Sequence, residues 1–321
     1  MTTAAPAATP TTPVTATYIG TATVLLRIGE LTVLTDPAFD AAPADYPAAR
    51  PLHRTAGPAL PAEALPPIDL VLLSHDQHAD NLDRTGREVL ARAGLVLTTP
   101  EAAARLGGRA EGLTPWQTRT VTAGATTVTV TATPARHGPA GTEQATGPVT
   151  GFVIEVGRGA GEGQGGGAGP GGGPGDGAGP GEGPGDGAGP GEGQAEATAG
   201  SGPRPGSRPD SRPRRLYVSG DTVRHDALAE IGARFPALDT AFLHFGDAHF
   251  PSTGDLAFSL SAAEGAAVAR TLGARRVIPL HFDSWNHLAE DPARITAAFA
   301  ADPELADRLR WLAPGKEETL D

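Results

Sequence analysis

Short apolar runs alternate with polar punctuation along most of this chain of 321 residues. Residues 17–28 and 31–34 are rich in β-branched side chains and flank Gly29-Glu30, a pattern that predicts a hairpin. Residues 38–66, dense in Ala and Pro, read as an irregular loop, and the run at 68–74 reads as a buried strand. Asp83 caps a predicted helix that reaches Ala93 and closes at Gly94; a strand follows at 95–98. Thr99-Pro100 opens a helix that stops at Gly107-Gly108. Further strands are predicted at 126–133, 151–156, 216–219, 240–244 and 276–280, with helices at 226–235, 262–272, 292–300 and 303–311. Strands dominate the first half, and strand and helix alternate in the second. Two sheets face to face with helices outside would bury all of these apolar faces.

Two stretches break the pattern. Residues 1–14 are rich in Thr, Ala and Pro, with neither a basic nor an apolar block, and read as a disordered tail rather than a signal peptide. From 157 to 214 the chain repeats Gly-Pro-Gly-Asp-Gly-Ala-Gly-Pro-Gly-Glu and then turns Ser/Arg/Pro-rich. No apolar side chain there could offset the entropy of ordering, so the segment reads as a disordered insertion in a single domain spanning 15–321. Loop closure costs grow only logarithmically with length, which makes such an insertion tolerable.

The net charge of −12 argues against a nucleic-acid partner and leaves a small molecule as the expected substrate. No run approaches the ~20 apolar residues of a membrane span, so a cytoplasmic protein is expected. The pattern fixes no oligomeric state. The chain has no Cys, which removes disulfides, thiolate nucleophiles and thiolate metal ligands.

What remains is His and Asp at strand ends. The run at 68–74 leads into His75-Asp76-Gln77-His78-Ala79-Asp80-Asn81; the strand at 126–133 leads to His137; 216–219 leads to Asp221; 276–280 leads to His281. Any one of these has an ordinary structural explanation. Four in this order point to a metal site built at the C-terminal ends of strands. Asp36, between a strand and Pro37, is a candidate acceptor for a ligand imidazole N–H, or simply a turn residue. His244, Asp247 and His249 follow another strand and are candidates to line the mouth of the cleft, as are Trp285 and His287.

These residues resemble the metallo-β-lactamase superfamily, in particular its lactonase and phospholipase-D-like branch of metal-dependent hydrolases. The likeness spans about 15–156 and 215–290. It runs through Tyr18-Ile19-Gly20-Thr21-Ala22-Thr23, Leu34-Thr35-Asp36-Pro37, the turn at 75–83, Pro134-Ala135-Arg136-His137, Ser219-Gly220-Asp221-Thr222 and Pro279-Leu280-His281-Phe282. The resemblance implies an α/β fold of the four-layer αββα type with one or two metal ions, usually Zn²⁺, at one edge of the sheets. It departs in two places. The turn is one residue longer than the usual His-x-His-x-Asp-His, so either His78 or Gln77 takes the second ligand position, and Asn81 stands where relatives place a last His. Thr21 stands where relatives often carry a His with a role toward substrate. The favoured assignment is His75, His78 and His137 for one metal, and Asp80, Asp221 and His281 for a second, weaker site that could take Mn²⁺, with Asp221 bridging. The chemistry expected of such a centre is attack by a metal-bound hydroxide on an ester, lactone or phosphodiester, with Asp80 accepting a proton. The rival expectation is a sensor or binding protein that keeps a metal and has little turnover.

Overall fold

The computed structural model describes residues 12–47, 51–157 and 212–320. The expected tail lies outside them except for residues 12–14, and the expected insertion lies outside except for its ends at 157 and 212–214. Along the chain the elements are β1 (Val14–Gly20), β2 (Thr23–Ile28), β3 (Leu31–Thr35), β4 (Ala44–Tyr46), β5 (Leu52–Arg54), β6 (Leu70–Leu72), α1 (Arg84–Arg92), β7 (Leu95–Thr98), α2 (Pro100–Leu106), β8 (Ala110–Gly112), β9 (Thr118–Ala123), β10 (Thr126–Pro134), α3 (Glu143–Thr146), β11 (Thr150–Val156), β12 (Arg214–Val218), α4 (Ala227–Arg234), β13 (Thr240–His244), α5 (Ala262–Leu272), β14 (Val277–Leu280), α6 (Pro292–Ala300) and β15 (Glu317–Thr319).

One sheet has seven strands in the order β15-β1-β2-β3-β6-β7-β8, and the other has six in the order β14-β13-β12-β11-β10-β9. Their facing surfaces interdigitate. Val24, Leu26 and Leu72 of the first meet Val130, Phe152, Leu216, Phe242 and Ile278 of the second, all buried. Helices α4, α5 and α6 cover the outer face of the six-stranded sheet through Ile231, Val268, Leu272 and Phe299, against Tyr217, Leu243 and Phe245. Helix α1 covers the other outer face with Val89 and Leu90, against Val71 and Val96. This is the αββα sandwich. It places the ends of the parallel strands β6, β12, β13 and β14 where a site can form.

Local signals account for the helix starts. The Asp83 carboxylate accepts from Gly86 N–H, the Thr99 hydroxyl from Ala102 N–H, and Ser261 with Glu264 closes a capping box. Other expectations need correction. The run at 17–28 is two strands, because Gly20 and Thr21 take positive φ and Asp283 Oδ1 captures the Thr21 N–H at 3.0 Å. The loop at 38–66 contains the β4–β5 hairpin. The expected helix at 303–311 is a series of turns. Its backbone is used on the sheet instead: Arg310 N–H donates to Val277 O at 2.9 Å, and Val277 N–H donates to Arg308 O at 2.8 Å. Val14, read as tail, opens β1, and Arg214, read as insertion, opens β12.

Candidate metal centre

Each donor arrives on a loop that leaves the C-terminal end of a strand. β6 leads into His75, His78 and Asp80; β10 into His137; β12 into Asp221; β14 into His281. The Asp221 loop passes close to the first sheet because residue 220 is Gly. At φ +62° a Cβ there would stand 2.8 Å from both Ser74 Cβ and Thr150 O, which an L side chain could not relieve. His281 and Thr21 also sit at positive φ, and the His281 N–H donates to Thr21 O at 2.6 Å, so the two strained loops hold each other.

His75, His78 and His137 form one donor set, and Asp80, Asp221 and His281 a second. In the first, His75 Nε2 and His137 Nε2 lie 3.1 and 3.0 Å from His78 Nδ1. His137 Nδ1–H donates to Phe258 O at 2.8 Å, which fixes its tautomer and turns the Nε2 lone pair inward. His75 Nδ1 is 2.9 Å from Ser74 Oγ, a hydroxyl able to accept the Nδ1–H and leave the His75 Nε2 lone pair free for a metal. Burial holds both imidazoles in the neutral form, with His137 lowered to about 4. One Nδ1–H of His78 can serve only one of the two facing Nε2 atoms well, whereas a shared cation would satisfy all three nitrogens.

The second set shares Asp221 with the first. Asp221 Oδ2 is 3.7 Å from His137 Nε2, 3.9 Å from His75 Nε2 and 3.4 Å from His281 Nε2. His281 Nε2 is also 3.3 Å from Asp80 Oδ2, yet it is buried and makes no aligned hydrogen bond. Burial alone would raise both carboxylates, but the histidines around Asp221 (His281, His244, His137) and around Asp80 (His281, His287) hold them well below the usual range. Burial disfavours charge on His281, but Asp221 and Asp80 outweigh it and raise the imidazole to about 9. Two ionised carboxylates around one nitrogen call for a positive charge, and the donor types fit a divalent metal.

The structure separates the remaining candidates. Gln77 is exposed at the turn and accepts from the Asp76 N–H, while His78 joins the imidazole set. His244, expected at the cleft mouth, is fully buried behind the site. Its Nδ1 donates to Asp221 Oδ1 at 2.8 Å, and its ring stacks on His281 with centroids 5.3 Å apart. Thr21, expected to touch substrate, is also buried, and its hydroxyl accepts from Trp285 Nε1 at 3.2 Å. His249 is only part-buried, pairs with Asp247 at 3.0 Å, and does not line the cavity. Asp36 accepts from Ser74 N–H at 2.6 Å and lies 3.4 Å from the Asn81 amide, not against a ligand imidazole; burial raises it to about 7.

Above the two sets lies a cavity of about 590 Å³ whose walls include Tyr46, Leu52, Phe250 and Phe258. His287 lines it as well and donates from Nε2 to Asp80 Oδ2 at 3.0 Å. The sequence flagged His287 only by its nearness to His281. Tyr46 and Leu52 carried no signal, since their hairpin has no local pattern.

Residues 32–162 match the family model for the beta-lactamase superfamily domain. A stretch of 107 residues, 33% of this chain, is 29% identical to a metal-dependent hydrolase from Pelotomaculum thermopropionicum and spans 42% of that protein. The chain thus matches less than half the length of that curated relative. Among solved structures, the isothiocyanate hydrolase from Delia radicum gut bacteria aligns at a TM-score of 0.65 and 18% identity, over 95% of this chain and 98% of that one. A metallo hydrolase from the hyperthermophilic archaeon Ignicoccus hospitalis aligns at a TM-score of 0.60 and 17% identity, over 97% and 99%. The family match is confined to residues 32–162, and the two solved metallo hydrolases share the fold of this chain. Among the described residues, no helix is long and apolar enough to cross a membrane.

Proposed function

We propose that this protein is a metal-dependent hydrolase of small, uncharged esters or lactones, acting in the cytoplasm. The observation that carries the reading is the meeting of the two donor sets at Asp221 Oδ2, below an aromatic-walled cavity. Divalent cations held there, with Zn²⁺ at the three imidazoles, would lower the pKa of a bound water toward 7 and polarise a substrate carbonyl. His75 and His137, held neutral by burial, supply nitrogens without any prior loss of a proton, and His78 adds the third nitrogen. Asp80, kept ionised by His281 and His287, is placed to accept a hydrogen bond or proton from a water at the cavity floor. His244 holds the Asp221 carboxylate in plane by its bond to Oδ1, leaving Oδ2 for the shared position.

The walls favour neutral substrates. Tyr46, Leu52, Phe250 and Phe258 offer apolar surface, and among the described residues no Lys or Arg lines the cavity. An anionic group carried away from the metals would therefore find no counter-charge, which places carboxylic esters and lactones ahead of phosphodiesters. The test is kcat/KM on a matched neutral aryl ester, lactone and aryl phosphodiester, before chelation, after it and after metal is restored. Metal-dependent turnover, highest on the neutral substrates, is expected. A fully metal-loaded protein that turns over none of them would favour the sensor alternative.

A further inference from the structure

Asn81 is buried beside the second donor set. Its side-chain oxygen lies 3.3 Å from Asp80 Oδ1 and 3.2 Å from Asp221 Oδ2, both of them acceptors. Its Nδ2 faces the other way, 3.4 Å from Asp36 Oδ2 and 3.5 Å from Asp221 Oδ1. The fully buried His281 Nε2, which makes no hydrogen bond, completes the group at 3.3 Å from Asp80 Oδ2 and 3.4 Å from Asp221 Oδ2. Three oxygens with no proton among them repel one another. Turning the amide over would let it donate to both carboxylates, which is the better arrangement when only protein atoms are present. The orientation with oxygen inward is favoured when a cation sits among the three. Donors sharing a metal at about 2.1 Å lie roughly 3.0–3.4 Å apart at octahedral or tetrahedral angles, and the spacings here fall in that range.

We propose that Asn81 binds the second cation through its carbonyl oxygen, so that the centre pairs an all-imidazole site for Zn²⁺ with an oxygen-rich site that accepts a harder cation such as Mn²⁺. This rests on reading the two donor sets as metal sites. The Asp36 carboxylate would act as the positioning residue, holding Nδ2 outward and thereby the oxygen inward. Hard oxygen donors suit Mn²⁺, whereas three nitrogens suit Zn²⁺. The asymmetry therefore follows from the ligand types and needs no difference in burial.

Full-length protein is stripped with chelator, loaded with one equivalent of Zn²⁺, and titrated with Mn²⁺ or with further Zn²⁺. Bound metal is counted by elemental analysis, and Mn²⁺ is followed by electron paramagnetic resonance. The expected result is one further ion per chain, of either metal, with the second Zn²⁺ held at least tenfold more weakly than the first. Asn81→Ala should weaken Mn²⁺ binding at least tenfold and leave the first Zn²⁺ within twofold. Asn81→Asp, which keeps an oxygen in place, should bind Mn²⁺ no more weakly than the unmodified protein. Asn81→His should shift the second site toward Zn²⁺. The assignment is overturned if folded Asn81→Ala keeps Mn²⁺ affinity within twofold, or if the unmodified protein holds two Zn²⁺ with equal affinity. Should the Ala variant fail to fold, loss of Mn²⁺ binding in Asn81→Asp would overturn it instead. Normal loading without turnover on any ester would defeat the hydrolase reading alone. Metal-dependent turnover with unchanged Mn²⁺ binding in Asn81→Ala would defeat the ligand assignment alone.

Discussion

Replacing Arg54 by Met should destabilise the protein severely, although Arg54 is no part of the metal centre. Arg54 sits in β5 with no solvent exposure. Its guanidinium donates to Asp83 Oδ2 at 2.8 Å, Ala56 O at 3.0 Å and Ala38 O at 3.1 Å, and it lies 5.6 Å from the Trp285 ring centroid. Asp83 in turn caps α1 and accepts the Asp40 N–H at 2.6 Å. One side chain thus ties the β4–β5 hairpin, which supplies Tyr46 and Leu52 to the cavity wall, to the start of α1 just after the turn that carries His75, His78 and Asp80. Methionine fills a similar volume but leaves the Asp83 carboxylate buried without its cation. Removing one partner of a buried pair costs about 3–5 kcal/mol. For a domain of this size each kcal/mol shifts the melting temperature by roughly 2–4 °C, so a fall of about 6–20 °C is expected. Burial already raises the Asp83 pKa, and loss of Arg54 raises it further. A carboxyl that keeps its proton in the folded state loses stability as pH rises, so the defect should be larger at pH 8 than at pH 5. Adding Asp83→Asn should recover part of the loss, and thermal melts of the two single variants and the double variant at both pH values measure each term. A loss below about 1 kcal/mol, or a defect independent of pH, would refute the argument.

His78→Ala should remove metal from the imidazole set and abolish turnover, while Gln77→Ala should leave metal content within about twofold of the unmodified protein. Metal-to-protein ratios after dialysis distinguish the two, and the reverse outcome would move the ligand by one residue. In chelated protein, Asp221 and Asp80 overcome the burial of His281 and raise it from 6.5 to about 9. A folded pKa above the unfolded one gives stability that is complete below about pH 6.5 and lost as pH climbs through 9; a change of this size is worth on the order of 3 kcal/mol. His137 near 4 has finished titrating by then, while Asp36 near 7 loses its last proton at the lower end of this range and, its pKa being raised, adds to the fall there. The melting temperature of chelated protein should therefore fall between pH 7 and 9, and that of metal-loaded protein should fall less; a flat profile for the chelated form would count against the buried pair of carboxylates.

The sequence by itself determined most of the strands and helices and the strand ends that carry the candidate metal donors, but not β4, β5, β8, β9 or β15. Strand periodicity and helix caps are local, so apolar runs such as 126–133 and 240–244, and capping residues such as Asp83 and Thr99, announce their elements without knowledge of the fold. A donor just past the C-terminal end of a strand is legible for the same reason. Turns have no such period. Whether Gln77 or His78 faced inward was left open by the sequence, and the structure places His78 there because that side chain meets His75 and His137, the latter 59 residues away. His244 looked like a cleft residue by its place after β13, but packing put it behind Asp221. The hairpin at 44–54 has no core of its own and depends on Arg54 reaching Asp83 and Ala38. Residues 303–311 have helical composition, yet their backbone pairs with the edge at Val277. In each case the decision rested on a partner distant in sequence, and contacts of that kind leave no local pattern.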